Sequence, residues 1–143
     1  MKKFLILLFT WSISNLSFSQ EWLTDFASSK LKAKAEDKNI LLVFMGSDWC
    51  APCIKLEKEI WQTETFQSYA LEKLILLKAD FPRRNKHKLS DAQTAHNAKL
   101  AEAYNDKGHF PMVILLDYEG NVLKRTGFSN KKPEEFIEYL DSY

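Results

Sequence analysis

The sequence is poor in cysteine, with only Cys50 and Cys53 among 143 residues. A disulfide between residues three positions apart closes a very short loop and would stabilise a fold by only about 2 kcal/mol. Hydrophobic residues make up 45% of the chain, which is enough for a sizeable core. The composition therefore excludes a small scaffold held together by disulfides. It favours reactivity over a purely structural disulfide as the explanation of the pair.

Histidine is also scarce, and His87, His96 and His109 are not spaced as metal ligands. A zinc site needs four protein ligands, or three and a water molecule. Thiolates also suit Cu(I), but no methionine or histidine flanks the cysteine pair. We expect no bound metal, and zinc binding and copper transfer are the weaker alternatives.

An excess of charge is absent as well, because 20 basic and 19 acidic residues give a net charge of +1. This overall balance does not indicate nucleic acid or an acidic partner. The length fits one domain, and the sequence contains no repeat, low-complexity tract or linker. We expect a single-domain monomer that does not bind nucleic acid.

The hydrophobic run at the N-terminus, from Phe4 to Ile13, follows two lysines. It is shorter than the roughly 20 residues that a membrane span needs, and Ser17-Phe18-Ser19 offers small residues before a cleavage site. We interpret residues 1–19 as a secretory signal peptide and residues 20–143 as the mature domain, with a membrane anchor as the alternative. The expected location is the periplasm, where disulfides persist.

The most informative stretch begins at Ser47 and contains both cysteines. It follows the apolar run Ile40–Met45, which predicts a strand buried on both faces, and it precedes a helical pattern over Ile54–Trp61. Cys50 therefore falls at a helix N-terminus, where N–H groups and the helix dipole lower a thiol pKa from about 8.5 to roughly 3.5–7.5. We predict Cys50, with the more exposed sulfur, as the nucleophile and Cys53 as the resolving thiol.

The rest of the chain alternates between helical patterns and apolar strands. The first helix is predicted over Glu21–Asn39, with Thr24 as a possible cap. The later predicted elements are a helix after Thr63, a strand at Leu74–Ala79, a helix from Ser90 to Tyr104, strands at Met112–Leu116 and Val122–Arg125, and a helix from Pro133. The strand–helix–strand order favours an α/β fold with parallel pairing and right-handed crossovers.

The segment Phe81–Leu89 is basic and has no apolar period, which is typical of a surface loop. A solvated loop extension is the simpler interpretation, because loops tolerate added length at little cost. A contact site for a partner or for an anionic surface is the alternative.

These residues together resemble the thioredoxin superfamily. Trp49-Cys50-Ala51-Pro52-Cys53 after a buried strand is similar to its active site, and His109-Phe110-Pro111 before a strand is similar to its cis-proline loop. Tyr118–Asn121 is similar to its hairpin turn, and Gly127 to the glycine after its last strand. The resemblance covers residues 22–142 and is strongest to secreted thioredoxin-like thiol:disulfide interchange proteins. It implies an α/β thioredoxin fold with a mixed sheet of about four strands flanked by helices.

The resemblance also implies a thiol–disulfide oxidoreductase in which Cys50 and Cys53 are catalytic. An extended substrate would pair with the backbone beside a cis-proline, and an aromatic side chain would cover the sulfurs. No cofactor is implied. The implied partners are disulfide-containing proteins and a membrane thiol-transfer protein that donates electrons. The residues assigned to substrate binding are Trp49, Phe110 and Pro111, and those assigned to support are Asp48, Ala51 and Pro52.

The sequence departs from the family pattern at Phe44, where thioredoxins proper have a buried acid that accepts a proton from the resolving thiol. Asp48 or Glu57 acting through water would be the substitutes. No histidine lies between the cysteines, so the reduced form is less stabilised than in strong oxidants. This predicts a reductase of exported proteins. An oxidase or isomerase, or a non-catalytic partner-binding module, is the alternative.

Overall fold

The computed structural model of the protein describes residues 21–127 and 130–143, so the predicted signal peptide lies outside the described residues. Its centre is a five-stranded sheet with strand order β1-β3-β2-β4-β5. Strand β2 is parallel to β3 and antiparallel to β4, so the sheet is mixed, as predicted. The strands are β1 (Trp22–Leu23), β2 (Asn39–Met45), β3 (Leu74–Asp80), β4 (Met112–Leu116) and β5 (Val122–Thr126).

The strand beyond the predicted four is β1. The sequence predicts Trp22–Leu23 within the first helix, and this is wrong, because these residues pair in parallel with β3. The first helix begins only at Phe26, and Asp25 caps it in place of the expected Thr24. A two-residue strand is defined by its neighbour in the sheet, so the periodicity of its own segment does not reveal it.

The helices surround this sheet and begin largely where their capping residues predict. Thr63 and Ser90 each accept a hydrogen bond from a backbone N–H three residues later. None of the described helices is both long and apolar enough to span a membrane. The helices are α1 (Phe26–Glu36), α2 (Ala51–Leu56), a π-helical turn (Glu57–Trp61) that continues α2, α3 (Glu64–Lys73), a single 3-10 turn (Asn85–His87), α4 (Asp91–Tyr104) and α5 (Pro133–Asp141).

Strand β2 contributes to the core on both faces of the sheet. Its odd-numbered residues from Leu41 to Met45 belong to the apolar layer that also contains both cysteines and parts of α2, α3 and α5. Its even-numbered residues from Ile40 to Phe44 belong to the opposite layer, together with parts of α1 and α4. This confirms the prediction of a central strand with no solvent-facing side.

Three segments meet at one edge of the sheet. The cysteine pair follows β2, and the basic segment 81–89 follows β3, which runs parallel to β2. Strand β4 is antiparallel to β2 and begins at the same edge, where Met112 pairs with Phe44. The residues just before β4, Phe110 and Pro111, are therefore brought to the cysteines.

Candidate active site

The two cysteines form a disulfide at the start of α2. The sulfurs are 2.08 Å apart, and the Cα atoms are 5.2 Å apart. Cys50 is the N-cap of the helix, and its Sγ accepts a hydrogen bond of 3.3 Å from the backbone N–H of Cys53. The same N–H group and the helix dipole would stabilise a thiolate on Cys50 once the disulfide is reduced.

Both cysteine residues are buried in the disulfide form. Cys50 is 4% exposed and Cys53 is 2% exposed, so Cys50 is the less buried residue of the two. Both cysteines belong to an apolar cluster against which Trp49 and Phe110 pack. The place of the Phe110 ring in this cluster depends on the folded chain, because Phe110 is distant from the cysteines in sequence.

Gly46 makes room for the side chain of Trp49. A Cβ atom at Gly46 would lie only 2.3 Å from the indole ring. The indole Nε1 donates a hydrogen bond of 2.7 Å to the carbonyl oxygen of Phe81, and the ring contacts that of Phe110 edge to face at 5.4 Å between centroids. Trp49 is thus held between the cysteine motif, the loop after β3 and the segment before β4.

Asp48 holds the loop that follows β3. Its carboxylate accepts hydrogen bonds of 2.9 Å from the backbone N–H groups of Arg83 and Arg84, and it lies 3.0 Å from Nδ1 of His87. The Arg83 N–H, with smaller contributions from Arg84 and His87, lowers the pKa of Asp48 to about 2 despite partial desolvation. A carboxylate so strongly stabilised in its charged form is a poor proton acceptor. Asp48 therefore supports the site by positioning this loop.

The peptide bond between Phe110 and Pro111 is cis. Pro111 is buried, and Phe110 is half-buried. The Phe110 ring lies edge to face with both Trp49 and Phe81, at 5.4 Å between centroids in each case. The structure thus brings together all three residues that the sequence assigns to substrate binding.

The remaining predicted residues lie around this centre. Ala51 and Pro52 occupy the first turn of α2 and are exposed, so they form the outer rim next to the buried sulfurs. Phe44 is fully buried in the layer opposite the cysteines. Glu57 is half-buried, and its carboxylate accepts a hydrogen bond of 3.4 Å from Gln62.

Metal ligands do not converge in the described parts of the chain. No group of three or more His, Cys, Asp or Glu side chains there is placed to hold an ion. The site described here is therefore the cysteine pair with the aromatic side chains packed near it.

Two contacts of the site are not indicated by the sequence. The Arg83 guanidinium lies over the Trp49 ring, 3.7 Å from its centroid. The turn before the motif is fastened to the end of β3, because Ser47 donates from its backbone N–H and from its hydroxyl to the carboxylate of Asp80, at 2.9 and 2.6 Å. In the sequence, Asp48 and Asp80 precede the basic segment 81–89. Such a charge pattern does not indicate which residues form contacts.

The fold and the site define a class of protein. A mixed sheet with a Cys-X-X-Cys disulfide after its central strand and a cis-proline just before the neighbouring antiparallel strand is a thioredoxin fold, and the predicted fold class is confirmed. A family model described as Thioredoxin-like matches residues 21–117. The chain belongs to this thioredoxin-like family.

Named proteins of similar sequence come from the Dsb group. The chain is 36% identical to the disulfide bond reductase DsbH of Chlamydia pneumoniae over 103 residues, which are 72% of this chain and 60% of DsbH. It is 26% identical to the thioredoxin-related protein DsbJ of the same organism over 111 residues, which are 77% of this chain and 31% of DsbJ. The chain thus matches only part of the length of each relative.

Solved structures agree with this placement. A structure described as DsbH oxidoreductase matches with a TM-score of 0.80 and 29% identity, covering 98% of this chain and 93% of that chain. The C-terminal domain of DsbD from Neisseria meningitidis, in the oxidised form, matches with a TM-score of 0.56 and 23% identity, covering 85% and 97%. The second likeness supports the fold alone.

Proposed function

We propose that the protein is a thiol–disulfide oxidoreductase that reduces disulfides of exported proteins through Cys50 and Cys53. The observation that carries the proposal is the position of Cys50. Its sulfur caps α2, accepts a hydrogen bond from the Cys53 N–H at 3.3 Å and forms a disulfide with the second sulfur. A non-catalytic binding module does not require this arrangement. The similarity to a disulfide bond reductase also favours catalysis over such a module.

The proposed cycle begins with the reduced pair. The Cys50 thiolate attacks one sulfur of a substrate disulfide, a mixed disulfide forms, and the other substrate sulfur leaves as a thiolate. Cys53 gives its proton to the substrate thiolate released in the first step and attacks the Cys50 sulfur, which releases the second substrate thiolate. Two electrons have then passed to the substrate, and the protein is in the disulfide form described here. The cycle needs no bound cofactor.

The substrate would enter beside the aromatic residues. An extended segment would pair with the backbone of Phe110 in the manner of strand addition, and its apolar side chains would contact the ring of Trp49. Ala51 and Pro52 would border the entry to the sulfurs.

The direction of the reaction is argued from the two residues between the cysteines. Ala51 and Pro52 supply no positive charge that would stabilise the thiolate, and a less stabilised reduced form means a lower reduction potential. We expect a potential nearer to that of thioredoxin, at about −270 mV, than to that of strong oxidants, at about −120 mV. The similarity to a named reductase supports the same direction.

The proposed location and partners follow from the same function. An N-terminal signal peptide over residues 1–19 would deliver the domain to the periplasm. There the oxidised protein would be reduced again by a membrane thiol-transfer protein, and disulfide-containing exported proteins would be its substrates.

The first experiment is insulin reduction by dithiothreitol with catalytic amounts of the protein comprising residues 20–143. We expect precipitation of the insulin B chain well before it occurs with dithiothreitol alone. A rate no higher than that of dithiothreitol would contradict the catalytic function. Equilibration with glutathione buffers then measures the potential, and a value near −120 mV would overturn the reductase direction.

The second experiment separates the roles of the cysteines. The Cys53→Ser variant should accumulate mixed disulfides with substrate proteins on Cys50, because the resolving thiol is missing. The Cys50→Ser variant is the matched control and should trap little, since the Cys53 side chain is deeper. Equal or greater trapping by the control would reverse the assignment.

A further inference from the structure

The basic loop, defined as residues 81–89, follows β3 at the edge of the sheet that holds the cysteines. Four cationic side chains project from it, and each of these residues is exposed: Arg83, Arg84, Lys86 and Lys88. The loop contains no acidic residue of its own. Its composition alone would be compatible with a solvated loop extension.

The loop is fastened directly to the active-site motif. Asp48, two residues before the first cysteine, accepts hydrogen bonds of 2.9 Å from two successive backbone N–H groups of the loop and contacts His87 at 3.0 Å. The indole of Trp49 donates to the carbonyl oxygen of Phe81 at 2.7 Å. A loop held at four residues by the two residues that precede the nucleophile has a fixed place beside the cysteine motif. A solvated loop extension would not require these contacts with Asp48 and Trp49.

One cation of the loop lies on the aromatic ring that precedes Cys50 in the sequence. The guanidinium of Arg83 lies 3.7 Å from the centroid of the Trp49 ring, and that ring contacts Phe110 edge to face. Phe110, Trp49 and Arg83 therefore form one continuous surface. A polypeptide that lies along Phe110 and crosses Trp49 would next meet Arg83 and the loop.

Three carboxylates near the loop reduce its charge unequally. The Asp48 side chain is only 3% exposed and points to backbone N–H groups. Asp80 has both oxygens occupied by Ser47. Asp91 is exposed and lies 3.8 Å from Lys88, so it offsets that end of the loop. An approaching polypeptide would therefore meet three cations of the loop, which are Arg83, Arg84 and Lys86.

We propose that the basic loop recognises an acidic segment next to the disulfide in the substrate protein, which makes acidic flanking sequence a determinant of substrate choice. The inference rests on the proposed function of Cys50 and Cys53. Carboxylates are the complement of an exposed arginine and lysine cluster, and such complementarity accelerates association at low ionic strength. The occupant is a polypeptide, because the cationic surface continues the one that contacts the substrate backbone.

The test uses three synthetic peptides with the same intramolecular disulfide, flanked by glutamates, serines or lysines. The pre-reduced protein is mixed with each peptide, and the second-order rate constant of thiol–disulfide exchange is measured. We expect the glutamate peptide to react about 10-fold faster than the serine peptide at low ionic strength, and the lysine peptide more slowly. The preference should shrink as salt is added, because exposed charges are screened.

The loop variant is Arg84→Glu combined with Lys86→Glu, since neither side chain contacts the Trp49 ring. It should lose the preference for the glutamate peptide and keep its rate with the serine peptide. The matched control is Lys34→Glu combined with Lys73→Glu, which makes the same change in charge. Lys73 lies immediately before β3 and the basic loop immediately after it, so the seven-residue strand separates them by about 23 Å. The control should keep the preference.

The outcomes are distinguishable. Equal rates for all three peptides, with normal exchange, would overturn the inference and leave the proposed function intact. An absence of exchange with every peptide would instead overturn the proposed function. Binding to vesicles of anionic phospholipid that is lost in the loop variant, without any peptide preference, would assign the loop to a membrane surface and also overturn the inference.

Discussion

Asp48 links the cysteine motif to the basic loop. The carboxylate is buried against the basic loop, so the residue that precedes Trp49 in sequence also sets where Arg83 lies. Gly46, two residues before Asp48, acts in a comparable way, since its missing side chain leaves room for the Trp49 ring. At the scale of single residues, the geometry of the site therefore depends on the hydrogen bonds of Asp48 and on the missing side chain of Gly46.

The lowered pKa of Asp48 predicts a pH dependence of stability. The pKa is about 2 in the folded protein and about 3.9 in an unfolded chain. A depressed carboxyl pKa contributes stability that is fully present above the unfolded value and is lost as the pH falls through the folded value. Urea unfolding from pH 5 to pH 2 should therefore show a shallower decline for Asp48→Asn than for the wild type.

Asp48→Asn should not remove the whole decline. The pKa of Asp25 is also lowered, chiefly by its hydrogen bonds from Ser28, and so is that of Asp117, where hydrogen bonds led by Asn121 outweigh desolvation. Identical pH profiles of variant and wild type would mean that the loop contacts of Asp48 are not maintained in solution.

Gly46→Ala should displace the indole of Trp49. A Cβ atom 2.3 Å from the ring forces the side chain or the backbone to move, and such overpacking typically costs about 1–3 kcal/mol. Urea unfolding measures the loss, and altered tryptophan fluorescence reports the displacement. Gly127→Ala is the control, because among the residues that the structure describes its Cβ would meet only the Pro111 carbonyl oxygen, at 3.7 Å. Similar destabilisation in both variants would contradict a specific role for Gly46.

The central strand and the helix after it are the elements that build the site. Strand β2 is apolar on both faces and is covered by helices on both sides, so its carboxyl end is held firmly where the cysteine motif begins. Helix α2 then continues into a π-helical turn whose Ile60 and Trp61 are buried, which anchors the helix that presents Cys50. The position of the disulfide is therefore set by packing on both sides of the motif.

Phe44→Ala should show how much β2 depends on the layer away from the cysteines. Phe44 is fully buried and packs near Phe81 at the base of the basic loop. Removal of a buried phenylalanine ring typically costs about 3–5 kcal/mol, which urea unfolding measures. Leu31→Ala is the control, because Leu31 is 72% exposed, and it should change stability by less than about 0.5 kcal/mol.

The whole molecule folds around a core that does not depend on its disulfide. The loop closed by the bond is very short, so its effect on the unfolded chain is small. The two apolar layers contain the large side chains that carry most of the stability. The reduced protein can therefore keep the same fold, which a redox cycle requires.

The oxidised protein should be more stable than the reduced protein by about 2 kcal/mol, by loop closure. Urea unfolding with and without dithiothreitol measures the difference, and the Cys50→Ala, Cys53→Ala double variant should be insensitive to the reductant. A strong oxidant shows the opposite order, because its reduced form is the stabilised one. A more stable reduced form here would therefore contradict the proposed direction.

The sequence by itself determined the order of most elements, the central strand and the reactive pair. These features depend on neighbours in the chain: the apolar run Ile40–Met45, the caps at Thr63 and Ser90, and cysteines spaced by one helical turn. The resemblance of His109-Phe110-Pro111 to the cis-proline loop of the family predicted the cis peptide bond that the structure contains.

Only the tertiary structure decided the rest, because it depends on contacts between residues far apart in sequence. The β1 strand exists through its pairing with β3, and the Phe110 ring before β4 packs against the apolar cluster that contains both cysteines. Asp48, a possible proton acceptor in the sequence, instead positions the basic loop. Local periodicity carries no information about such pairs, so the folded chain alone brings the charge and the aromatic surface to the disulfide.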